Sequence, residues 1–267
     1  MRMPLAERVR ALIIDMDGVL WRGQTLLGGV REFFCFLRGS QLRFVLATNN
    51  SAATFEKVSE RLASAGATLQ PEQFLTTAEA CASFLTKHLP SGAPVYVIGE
   101  RGLREAITRA GFAILETSDT AEAVVVGLDF QVTWQRLSEA ALALGRGVLF
   151  VGTNPDPSFP VERGLAIGNG ALLAALQATT GCSPVLIGKP EPHLFLEALG
   201  RLRTLPMETV VVGDRLQTDI LGGQRAGLRT ALVLTGVTQA QDLNGSSIKP
   251  DWVFEDLHAL RRALEGH

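Results

Sequence analysis

The chain has 267 residues, 46% hydrophobic and 19% charged, a globular composition long enough to bury a sizeable core without staples. Lys and Arg total 25 against 27 Asp and Glu, for a net charge of -2; this leaves no basic excess for nucleic acid or anionic lipid, so a bound anion needs a local site. The three cysteines, Cys35, Cys81 and Cys182, lie far apart with no C-x-x-C pair, which argues against a disulfide framework or zinc site and for small apolar core residues in a reducing compartment.

Taken in chain order, residues 1–10 carry charge but no apolar leader. No apolar run is long enough to span a membrane, so a cytoplasmic protein is expected. The run Ala11-Leu12-Ile13-Ile14 ends in Asp15. Phe33-Phe34 and Phe36-Leu37 fall on one helical segment and read as core. Phe44-Val45-Leu46-Ala47 ends in Thr48. Residues 55–65 place Val58, Leu62 and Ala65 on one helical face, with Gly66 as the stop.

From about residue 80 to 182 the pattern reads as a second unit. Its strand candidates are 95–98, 123–128 and 148–151. Its helical patterns are 103–110, 134–144 and 171–179, and Pro-Gly-Ser punctuation lies near its edges. Beyond it, Val185-Leu186-Ile187 ends in Gly188-Lys189, and a helix over 193–202 carries Leu196, Leu199 and Leu202 on one face. Val210-Val211-Val212 ends in Gly213-Asp214, Ala231-Leu232-Val233-Leu234 in Thr235-Gly236, and Trp252-Val253-Phe254 in Glu255-Asp256. Short β-branched and aliphatic runs alternating with helices predict an α/β fold with a doubly wound, Rossmann-like parallel sheet. The expected division is a core of 1–79 and 183–267 with an inserted α/β cap of 80–182.

Ligands of such sheets bind outside the carboxyl ends of the strands. Asp15, Thr48, Lys189 and Asp214 each follow a predicted strand and would converge on one edge. Two carboxylates, a hydroxyl and an ammonium suit a metal and a phosphate held together. Asp15 and Asp17, two apart in extended backbone, project to the same side. One is placed to attack phosphorus and the other to manage the leaving group's proton. A solvated D-x-D-G surface turn is the plain alternative for that motif taken alone. Gly168-Asn169-Gly170 resembles the start of a dinucleotide fingerprint, but Leu173 stands where Gly or Ala is needed, so it reads as a helix start.

Asp15-Met16-Asp17-Gly18-Val19-Leu20-Trp21, Thr48-Asn49-Asn50-Ser51, Gly188-Lys189-Pro190 and Gly213-Asp214-Arg215-Leu216-Gln217-Thr218-Asp219 together resemble the haloacid dehalogenase superfamily. They look most like its NagD-type branch of p-nitrophenyl, phosphoglycolate and pyridoxal phosphate phosphatases. Gly127-Leu128-Asp129 and Thr153-Asn154-Pro155-Asp156 extend the likeness into the insertion. The resemblance implies an Mg²⁺-dependent phosphatase of a small phosphorylated metabolite, with no nucleic acid or membrane partner, and a homodimer formed through the cap. By the same resemblance Asp15 is the nucleophile that becomes an aspartyl-phosphate, and Asp17 is the general acid and then base. Thr48, Asn49 and Lys189 hold the phosphoryl group, and Asn50 shapes its pocket. Asp214 holds Mg²⁺ with Asp15 and the backbone carbonyl of Asp17, and Asp219 supports the metal's water shell. The loop bearing Asn154, Asp156 and Phe159 is placed near substrate specificity. Two departures from the pattern, Ile167-Gly168-Asn169-Gly170 for P-G-x-G and Val132-Thr133-Trp134 for an aromatic pair, bear on substrate.

Within the superfamily, dehalogenases usually lack the second aspartate, and the ion-pump motif D-K-T-G-T is absent here. A silent module that accepts phosphate on Asp15 would not need Asp17.

Overall fold

The computed structural model describes residues 9–161 and 163–266. The leader reading for residues 1–8 lies outside the described residues. By its internal contacts the chain divides into two units. The first comprises 1–48, 55–75 and 189–267; the second comprises 49–54 and 76–188.

The first unit is built on a six-stranded sheet. From one edge its strands are Trp252–Phe254, Arg229–Val233, Thr209–Gly213, Ala11–Ile14, Arg43–Thr48 and Phe74–Thr76. Ala11–Ile14 pairs in parallel with Thr209–Gly213 on one side and Arg43–Thr48 on the other. The sheet continues in parallel to Arg229–Val233 and Trp252–Phe254. Numbered by sequence, this is the doubly wound order 3-2-1-4-5-6, whose direction reverses between Ala11–Ile14 and Thr209–Gly213. All four residues of Ala11–Ile14 and all five of Thr209–Gly213 are buried. Burial along the whole length of both strands is why they read as unbroken apolar runs and not as alternating ones.

Helix Val30–Gly39 buries Val30, Phe33, Phe34 and Leu37. The Phe34 ring meets Phe44 of the sheet edge-on at 5.6 Å, and each such buried aromatic contributes about 1.5–3 kcal/mol. Helix Phe55–Ser64 buries Val58 and Leu62 and ends just before Gly66, as its spacing predicts. Helix His193–Leu202 departs from expectation in phase. It buries Leu194, Phe195, Ala198, Leu199 and Leu202 and leaves Leu196 exposed. The apolar stripe includes Phe195, which the leucine spacing alone overlooked.

The second unit has its own five-stranded sheet: Val185–Leu186, Leu149–Gly152, Ala123–Val126, Pro94–Ile98 and Ala113–Leu115, all paired in parallel. Val185–Leu186 therefore extends this sheet and not the first one. A run of two strand residues carries no periodicity from which its partner sheet can be read. Asp129 is buried at the mouth of this sheet, where its carboxylate accepts from Arg136 at 2.6 Å and from the Gly99 N–H at 3.1 Å. Helix Asn169–Thr180 starts directly after Gly168. An antiparallel hairpin, Ser158–Val161 with Gly164–Ile167, completes the unit.

The cysteines are free. Cys81 is buried, but Cys35 is exposed, so the reading of all three as core residues fails at Cys35, which sits on the solvent side of its helix. Among the described residues no helix is long and apolar enough to cross a membrane.

Candidate active site

Four of the residues singled out by sequence meet at the carboxyl edge of the first sheet, where the strand order reverses. Asp15 directly follows Ala11–Ile14, and its N–H donates to Val212 O at 2.8 Å, so the ladder runs up to the aspartate. Asp214 directly follows the neighbouring strand, Thr209–Gly213. Asp219 is brought inward by the wide turn Leu216–Ile220, in which the Ile220 N–H reaches back to Arg215 O. One carboxylate oxygen from each of Asp15, Asp214 and Asp219 lies within 4.8 Å of the others.

Lys189 enters this cluster from the chain beyond the second unit. Its ammonium is buried and donates to Asp15 Oδ1 at 2.6 Å, Asp219 Oδ1 at 2.8 Å and Ala47 O at 2.9 Å. Three carboxylates share one ammonium in a site nearly closed to water, so full ionisation of all three is opposed. Burial pushes the Asp15 carboxyl up to about 8, opposed by Lys189 and reinforced by Asp219 and Asp214. Burial likewise pushes Asp214 up to about 6, with Asp219 adding to the effect and the Val237 N–H opposing it. For Lys189 burial works against the charged form, but Asp15 and Asp219 outweigh it and the group is held protonated.

The donor set suits a hard divalent cation. All three acidic donors are carboxylate oxygens, the ligands that Mg²⁺ takes in small number while keeping water. Asp214 Oδ1 is buried, and no hydrogen-bond partner reaches it among the described residues, although such groups are normally satisfied. Asp214 Oδ2 accepts from the Val237 N–H at 2.6 Å, which fixes the carboxylate and leaves Oδ1 as its unsatisfied oxygen. Two glycines make room for it. A Cβ on Gly18 would lie 2.4 Å from Asp214 Oδ2, and one on Gly236 would lie 1.9 Å away. The sequence marks Gly18 as a turn residue of the Asp15–Asp17 motif but places neither glycine beside Asp214.

Thr48 ends Arg43–Thr48 and is buried. Asp17 stands apart from the other carboxylates. It is exposed, and its Oδ1 accepts from the indole N–H of Trp21 at 2.9 Å.

The remaining predicted residues belong to the second unit, where they form a network of their own. Asn154 Nδ2 donates to Asn49 O at 2.9 Å, as does Thr77 Oγ1. Asn49 Nδ2 reaches Asp156 Oδ2 at 3.4 Å. Asn169, fully buried, donates to Asn154 O at 2.8 Å and Thr153 Oγ1 at 3.3 Å. The altered Ile167-Gly168-Asn169-Gly170 segment thus braces the loop that carries Asn154 and Asp156. Asn50 Oδ1 caps the following turn by accepting from the Ala52 N–H at 2.9 Å. Phe159 lies on the hairpin, its ring edge-on to Phe130 at 6.1 Å. The sequence points to Asn169 only as part of the Ile167-Gly168-Asn169-Gly170 segment and does not point to Thr77. The T-x-x-E spacing of Thr76 and Glu79, a capping box in the structure, marks the helix that carries Thr77.

Family models match two stretches of the chain: a haloacid dehalogenase-like hydrolase over residues 12–113 and a HAD-hydrolase-like family over residues 186–260. An acid sugar phosphatase of Staphylococcus aureus is 38% identical over 259 residues, covering 97% of this chain and 99% of its own length. Among solved structures, a p-nitrophenyl phosphatase from Archaeoglobus fulgidus superposes with a TM-score of 0.90 at 34% identity, covering 96% of this chain and 99% of that one. NagD from E. coli K-12 does so with a TM-score of 0.87 at 35% identity, covering 93% and 97%.

Proposed function

The chain belongs to the haloacid dehalogenase-like hydrolases and is a phosphatase, and from that premise we propose that it is an Mg²⁺-dependent hydrolase of small sugar-type phosphate monoesters. The observation that carries this reading is the buried cluster of Lys189 with Asp15, Asp214 and Asp219 at the reversal of the strand order. The acid sugar phosphatase relative supports the substrate class.

Asp15, Asp214 and the backbone carbonyl of Asp17 would hold Mg²⁺, which would supply the positive charge that lets a phosphate dianion approach a carboxylate. Asp15 is the nucleophile. Its carboxylate oxygen bonds to phosphorus as the ester bond breaks and the electron pair stays on the leaving oxygen. Lys189 orients Asp15 through the 2.6 Å contact and offsets charge on the phosphoryl group. Asp17 gives the leaving oxygen its proton. It then takes one from the water that displaces Asp15 from phosphorus, restoring the free carboxylate. Thr48 and the Asn49 N–H would hold phosphoryl oxygens, Asn50 would shape their pocket, and Asp219, which accepts from Lys189 at 2.8 Å, would support the metal's water shell.

The second unit, with Asn154, Asp156 and Phe159, is read as the substrate-selecting cap. Its exposed Leu165 and Ile167 support pairing of two caps in a homodimer, which light scattering at micromolar concentration would contradict by finding only monomer.

The test of the chemistry is rapid-quench kinetics with p-nitrophenyl phosphate. Asp15→Asn should show no burst and no turnover. Asp17→Asn should keep a burst, because nitrophenolate departs without much help, and then turn over slowly, with a loss on the order of 10²–10⁴-fold. A burst surviving in Asp15→Asn would overturn the nucleophile.

A further inference from the structure

Asp17 is exposed, yet its carboxylate is held from one side by a small assembly that the chemistry above does not use. Trp21 is 3% exposed, and its indole Nε1 donates to Asp17 Oδ1 at 2.9 Å. The backbone between the two residues closes on itself. Gly18 N donates to Trp21 O at 2.7 Å, and Leu20 N donates to Met16 O at 2.8 Å. This loop is tied to the end of another strand: Thr235 Oγ1 donates to Gly18 O at 2.6 Å and Arg22 to Thr235 O at 2.5 Å.

One face of the indole is covered by Arg61, from helix Phe55–Ser64. Its guanidinium carbon lies 4.2 Å from the ring centroid. Arg61 Nη2 donates to Gly23 O at 2.5 Å, and its Nε is buried with no hydrogen-bond partner among the described residues. A cation over an indole face is attracted to the ring and draws electron density from it, which strengthens the N–H as a donor. Leaving a buried guanidinium N–H unsatisfied is costly, and an ordinary surface arginine would avoid it. All these groups belong to the first unit.

We propose that Trp21 and Arg61 are a positioning pair for Asp17: the indole N–H takes Oδ1, so that Oδ2 is presented for proton transfer, and Arg61 pins the indole. The inference rests on the reading of Asp17 as acid and base. In the first half-reaction the proton leaves Oδ2 for the ester oxygen as the P–O bond breaks. In the second, ionised Oδ2 takes a proton from the water attacking phosphorus, and the Asp15–phosphorus bond breaks. An untethered carboxylate visits several rotamers, and a misplacement of about 1 Å can cost on the order of 10²-fold in rate.

The experiment is a double-mutant cycle in the full chain with Mg²⁺ and glycerol phosphate, whose basic leaving oxygen needs the proton. Trp21→Phe keeps an aromatic ring under Arg61 and removes the donor along with part of the ring system. It should lower kcat by about 10–100-fold with KM within about 2-fold. In the Asp17→Asn background the same change should cost less than about 2-fold, because the residue it positions is already gone. Arg61→Met keeps the aliphatic cover and removes the charge. It should lower kcat by about 3–10-fold, again only when Asp17 is present, and it serves as the test if Trp21→Phe fails to fold. Equal fractional losses in both backgrounds, or wild-type kcat in both single variants, would overturn the positioning pair while leaving Asp17 in its role. Asp17→Asn turning over glycerol phosphate at the wild-type rate would overturn the parent reading and the pair with it.

Discussion

Lys189→Met removes the one ammonium from a cluster of three carboxylates while keeping most of the side-chain length. In the wild type that ammonium is 2% exposed as a residue and reaches Asp15 at 2.6 Å and Asp219 at 2.8 Å. Removing one partner of a buried pair costs about 3–5 kcal/mol, because the charge left behind is uncompensated. At about 2–4 °C per kcal/mol for a chain near this size, a fall in Tm of about 10 °C is expected. The cost depends on pH, and its sign follows from Asp15. Burial already pushes that carboxyl up to about 8, with Lys189 opposing. Without Lys189 it rises further, so the folded variant binds more protons than the folded wild type, whereas the unfolded chains are alike at Asp15. Stability falls with pH wherever the folded state holds the excess protons. The deficit should therefore be small near about pH 5 and largest near about pH 8, and Mg²⁺ at the higher pH should narrow it. Calorimetric melts of both proteins in chelator, at constant ionic strength, measure this directly. A deficit independent of pH, or a variant as stable as wild type near about pH 8, would refute the electrostatic account of the cluster.

The wild type itself should respond to Mg²⁺ unequally across pH. Asp15 and Asp214, pushed up to about 8 and about 6, must lose their protons to bind it, so the Mg²⁺-induced rise in Tm should be larger near about pH 8 than near about pH 5; equal shifts would contradict this. Gly236→Ala places a Cβ 1.9 Å from Asp214 Oδ2 and must displace that carboxylate. The Mg²⁺ concentration for half-maximal activity should rise by about 10-fold or more, and an unchanged metal titration would dismiss the cradle. Phe159→Ala removes the edge-on contact with Phe130. It should change the ratio of kcat/KM between sugar phosphates and p-nitrophenyl phosphate by about 3-fold or more, with Tm nearly unmoved. An unaltered profile, or a large loss of Tm, would make the ring a structural anchor instead.

Much of the architecture is legible locally because each strand of a sheet covered on both faces must be apolar along its whole length. Ala11–Ile14, Thr209–Gly213 and Arg229–Val233 stand out for that reason, and the polar residue that ends a run marks the edge where a ligand binds. Asp15, Thr48 and Asp214 were found this way, from position and chemical type. Periodicity was weaker wherever an element was short or its stripe mixed residue types. Val185–Leu186 joined the second sheet, and Leu196 faced solvent where Phe195 was buried.

What the sequence by itself determined is the set of elements and the identity of the strand-end residues, since both follow from side chains near one another in the chain. Only the tertiary structure decided how charges and contacts are shared across it. Lys189 lies 174 residues from Asp15 and 30 from Asp219, yet it joins both. Arg61 stacks on Trp21 from helix Phe55–Ser64, and Gly236 makes room for Asp214 from the end of a neighbouring strand. Such pairings depend on how strands are ordered and which loops close over their ends. The surplus of carboxylates over ammonium, the orphaned Asp214 oxygen and the tether on Asp17 arise from that folding of distant segments onto one edge, where burial weakens the screening that water would provide.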